Sequence, residues 1–155
     1  MKWRDITVVA KGAQGYMDPM PAGEWEAKRN GSVAPPACLQ PMYPGATNED
    51  CLFFNVFTPR LNKSDLPVIV WFLPGAFVIG NMDIYRPEFL LRKDVVLGLF
   101  KPDMVSWVGM DSSRLWTLTV LDPDKVTVFG QNARAASVHH QILSPMSKGR
   151  IKGCI

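Results

Sequence analysis

A chain of 155 residues, 47% hydrophobic and 20% charged, has the make-up of one globular core. Its formal charge of +3 is small, and its Lys and Arg are scattered without an interleaved aromatic cluster, which sets nucleic acid aside as a partner. It has no run of about 18 apolar residues that would span a membrane, and the apolar stretch near Met1 is too short and too soon followed by charge for a signal peptide.

In chain order, residues 17–45 carry six of the thirteen prolines and three of the twelve glycines, and are expected to form a long irregular segment. Trp25, Leu39, Met42 and Tyr43 are spaced through it as apolar pins that hold it on a core. Regular structure is predicted to begin at Cys51, where CLFFNVFT reads as a strand closed by Pro59. The run PVIVWF, residues 67–72, is apolar on both faces, as a buried central strand requires, and it empties into the small-residue loop Leu73-Pro74-Gly75-Ala76-Phe77. Pro87 and Glu88 open a short helical turn, and a third strand is expected over residues 94–100. Residues 101–124 fit neither a period of two nor one of 3.6, and no element is assigned there. A fourth strand over 125–129 turns through Gly130 into a helix over 133–143, which Ser144-Pro145 stops. Strands alternating with helix-compatible connections predict an α/β fold.

The junction after the fourth strand has the layout of a nucleophile elbow, a strained strand-to-helix turn written G-x-S-x-G. This chain writes Gly130-Gln131-Asn132-Ala133-Arg134, with Asn132 in the serine's place. Three other stretches accompany it: PPACLQ followed by NEDCLFFNV, then LPVIVWFLPGAFVIG, then residues 85–97, YRPEFLLRKDVVL. Together the four resemble the type-B carboxylesterase and cholinesterase family of α/β-hydrolases, its insect members above all. The resemblance covers residues 17–100 and 122–149; residues 101–121 lack the N-Y-R-L-G and G-L-x-D-Q motifs that the family places there. It implies one incomplete domain with a partial α/β-hydrolase sheet, acting in the family on carboxylic esters without a cofactor or metal. The triad's acid and histidine follow the elbow in such enzymes, and the chain is expected to be a fragment or truncated product that lacks them.

By the same resemblance the oxyanion-hole donors are the backbone N–H groups of Gly75, Ala76 and Ala133. The family's His-Gly pair before Gly75 is here Leu73-Pro74, and proline removes a donor and fixes φ. Arg134 replaces the second elbow glycine, and must either bend outward or widen the turn. Asparagine offers only an amide whose nitrogen lone pair is delocalised, so Asn132 forms no acyl-enzyme and the expected protein is catalytically inactive. His139, His140 and Ser137 are read as surface or packing residues of the helix, with no metal-ligand spacing around them. Cys38 and Cys51 match the family's loop disulfide, with two reduced thiols as the other reading, and Cys154 has no partner. Two sequons, Asn30-Gly31-Ser32 and Asn62-Lys63-Ser64, fit the secretory pathway that the resemblance implies. Two other readings stand beside the inactive esterase: a non-catalytic adhesion or ligand-binding module, and a truncated gene product without function. Exposed strand edges are expected to promote self-association.

Overall fold

Short runs of β-branched and aromatic residues, each ended by proline, glycine or a polar turn, become the strands of this chain. The computed structural model describes the backbone of residues 4–9, and residues 35–48, 51, 53–60, 65–100 and 124–155 in full or nearly so. Its strands are β1 (Arg4–Val9), β2 (Phe53–Thr58), β3 (Val68–Phe72), β4 (Val96–Phe100), β5 (Val126–Gly130) and β6 (Gly153–Cys154), and its helix is α1 (Ala133–Leu143). They form one mixed sheet in the order β1-β2-β4-β3-β5-β6. β2 runs antiparallel to both β1 and β4, while β3 is parallel to both β4 and β5, and β6 is parallel to β5. The sheet is that of a partial α/β-hydrolase fold, as expected from sequence.

Two strands among the described residues went unread in the sequence. One is β1, which pairs with β2 along its whole length, from Arg4 opposite Thr58 to Val9 opposite Phe53. Its sequence RDITVV is short and charged at one end, and β2 supplies the ladder partners on its one paired side. The other is β6, two residues whose glycine gives no strand signal. It is placed by hydrogen bonds from Lys152 N to Val126 O and from Ile155 N to Val128 O.

Side chains alternate across the sheet as the pleat demands. Val68, Val70 and Phe72 of β3 join Phe54, Val56, Val96, Phe100, Val126 and Val128 on one face, where Val138 of α1 covers them. Ile69 and Trp71 point to the other face with Phe57, Leu97 and Leu99, covered there by Met82, Tyr85 and Leu91 from the connection between β3 and β4. That connection holds two 3-10 turns, Met82–Ile84 and Leu90–Arg92, the second being the turn predicted after Pro87. The ring of Trp71 lies 4.3 Å from that of Phe129 and 5.8 Å from that of Tyr85, whose phenol is pushed above its ordinary pKa by burial.

The parallel register fixes where chemistry can occur. Val68 lies opposite both Val96 and Val126, and Phe72 opposite both Phe100 and Gly130. The carboxyl ends of β3 and β5 are therefore level, and the loop after β3 and the turn after β5 leave the sheet side by side. In open α/β sheets ligands bind at this edge. Residues 101–121, and the sequons at Asn30 and Asn62, lie outside the described residues.

Candidate functional site

The chain passes from β5 into α1 through only Gln131 and Asn132, a reversal that ordinary φ/ψ values do not permit. Asn132 adopts φ 60° and ψ −131°, a conformation glycine accepts freely and other residues hold at a cost of about 1–3 kcal/mol. Gly130 makes the turn possible from the strand side, since a Cβ there would lie 2.6 Å from the Arg134 carbonyl oxygen. The first helical bonds, Arg134 N to Gln131 O at 3.2 Å and Ala135 N to Asn132 O at 3.0 Å, then take over. This is a strained strand-to-helix elbow, and asparagine occupies its apex.

Asn132 is also the N-cap of α1. Its Oδ1 accepts a hydrogen bond from Ala133 N at 2.6 Å. The N–H that the family resemblance designates as an oxyanion donor is thus engaged by the neighbouring side chain.

The loop after β3 supplies the other designated positions. Leu73 is buried and its N–H extends the β3–β4 pairing by bonding Phe100 O at 3.1 Å. Three residues in succession then have positive φ: Gly75 at 140°, Ala76 at 53° and Phe77 at 61°. Only glycine fits at 75, where a Cβ would overlap the Ile79 carbonyl. Ala76 and Phe77 pay about 1–2 kcal/mol each for left-handed backbone. The arch is closed by Val78 N and Ile79 N, both bonding Gly75 O at 2.9 Å.

Two side chains tie this arch to the rest of the molecule. Gln40 makes reciprocal amide bonds with Gly80, accepting from Gly80 N at 2.7 Å and donating to Gly80 O at 3.0 Å. Tyr43 Oη accepts from Asn81 Nδ2 at 2.7 Å. Both come from the loop closed by the Cys38–Cys51 disulfide, which settles the thiol question of the sequence in favour of a bond and gives the C-x-Q spacing a mechanical role. Cys154 is free and exposed.

A third tie is Arg134. It neither bends outward nor is left in solvent: it is 5% exposed, its Nε donates to Leu73 O at 3.2 Å, and its guanidinium stands 4.7 Å from the centroid of the Phe77 ring. A long cation in an elbow gave no sequence signal of this partner, because Leu73 and Phe77 are some sixty residues away. Ser137 is buried on the sheet side of α1, whereas His139 and His140 are exposed.

The sequence model of the carboxylesterase family matches residues 9–100. Carboxylesterase 5A of Homo sapiens is 31% identical over a match covering 89% of this chain. The chain belongs to the carboxylesterase family. Cocaine esterase of Homo sapiens is 28% identical and covers 90% of the chain. This family member spans about a third of the length of the curated relatives it matches, 31% of carboxylesterase 5A and 32% of cocaine esterase. Among solved structures, juvenile hormone esterase from Manduca sexta, with OTFP covalently attached, shares the fold at a TM-score of 0.81 and 24% identity, covering 98% of this chain and 36% of that one.

Proposed function

We propose that this carboxylesterase-family chain does not hydrolyse esters, and that Asn132 is a vestigial nucleophile position in a site derived from one that does. The single observation that carries the reading is the Asn132 carboxamide at the elbow apex, with its oxygen on the Ala133 N–H. An amide at this position offers no nucleophile, and loss of the nucleophile from a triad hydrolase lowers turnover by about 10⁶-fold. The engaged Ala133 donor removes a contact whose loss alone lowers rate by roughly 10²–10³-fold. Carboxylic esters are the substrate class of the family, and Gly75 and Ala76 remain the other proposed oxyanion-hole positions. The Cys38–Cys51 disulfide supports maturation in an oxidising, secretory compartment, with Asn30 and Asn62 as the proposed glycosylation sites.

The test is release of nitrophenol from a short-chain ester, joined to labelling with a fluorophosphonate that reacts with activated serine. No saturable turnover and no label are expected. Saturable turnover that disappears in Asn132→Ala would overturn the proposal.

A further inference from the structure

We propose that Arg134 is a built-in strap that closes the candidate site, drawing the 73–80 loop down onto the first turn of α1 and filling the gap between them with this chain's own guanidinium. The inference deepens the non-hydrolytic reading and rests on it, because an enzyme would need that gap open to an acyl group. Three observations carry it. Arg134 is buried although a helix surface position next to an elbow gives a long cation easy access to water. The Leu73 carbonyl and the Phe77 ring that it meets stand at the beginning and the middle of one loop, so a single side chain fixes both the exit from β3 and the left-handed arch. Ala76 and Phe77 hold positive φ without being glycine, and such a backbone persists only where its surroundings over-determine it. The Gln40 clamp secures the far end at Gly80, and the strap secures the near end.

By the family resemblance, glycine is expected where Arg134 stands and His-Gly where Leu73-Pro74 stand. The contact that Arg134 makes is with the main-chain carbonyl of Leu73 and the ring of Phe77. Arginine suits the task better than lysine, because its planar group stacks on a ring and donates in its own plane at once.

Amide hydrogen exchange on the full chain tests the strap, comparing wild type with Arg134→Gly, Arg134→Lys and Phe77→Leu. Exchange at Val78, Ile79 and Gly80, whose N–H groups close the arch, is expected to accelerate by about tenfold or more in Arg134→Gly while β3 and β5 amides hold their wild-type rates. Arg134→Lys is expected to restore only part of the protection. Should Arg134→Gly unfold the whole chain, Phe77→Leu decides, since it removes the ring and leaves the elbow intact. Acceleration of less than about twofold at 78–80 in the folded variants, or acceleration spread evenly over β3 and β5, overturns the strap. Neither outcome depends on ester turnover or fluorophosphonate labelling, so a failure here is distinct from a failure of the non-hydrolytic reading.

Discussion

Replacing Asn132 separates the strain of the elbow from the cap that it supplies. At φ 60° and ψ −131° a side chain is penalised, and glycine is the residue that fits. Asn132→Gly relieves about 1–3 kcal/mol of backbone strain. Against this stand about 0.5–1 kcal/mol for the greater freedom of glycine in the unfolded chain and a few tenths for the lost cap. The net expectation is stabilisation by about 0.5–1.5 kcal/mol. Asn132→Ala keeps the strain and loses the hydrogen bond to Ala133 N, costing about 1 kcal/mol. The two variants should therefore differ by about 2 kcal/mol, or roughly 4–8 °C in midpoint for a chain of this size. Thermal and urea unfolding of the full chain, with wild type between the two, measure the difference. An Asn132→Gly variant that melts at or below Asn132→Ala would refute a strained apex.

Gly130→Ala is expected to destabilise by about 1–3 kcal/mol, since the new Cβ meets the Arg134 main chain and α1 must move; an unchanged urea midpoint would contradict so tight a turn. Removing the disulfide by Cys38→Ser with Cys51→Ser should lower stability by about 3 kcal/mol, and should speed exchange at Gly80 by freeing the Gln40 clamp. Peptide mapping without reduction is expected to recover the 38–51 link and a free Cys154 thiol. Size-exclusion chromatography should show concentration-dependent association, reduced by Ile84→Ser with Phe89→Ser, because these side chains are 71% and 77% exposed on the connection between β3 and β4; a concentration-independent monomer would reject the expectation.

The apolar runs read over 51–58, 67–72, 94–100 and 125–129, and the stop signals around 133–143, were enough to place four strands and the helix. These are local properties, because period and punctuation are written into consecutive residues. The asparagine within the elbow motif was equally plain, since that motif is contiguous. The strands β1 and β6 were not legible, as each is held by a partner distant in sequence or supplied after a turn. Nor was the arrangement of the site. The level ends of β3 and β5 come from strand register, the Gln40 clamp from a disulfide loop folding back over forty residues, and the direction of Arg134 from a carbonyl and a ring sixty-one and fifty-seven positions earlier. Sequence alone determined which side chains this elbow has and that asparagine cannot attack an ester. Only the tertiary structure decided what those side chains do instead, because hydrogen bonds and ring contacts depend on distances that the chain acquires when the sheet brings its loops together.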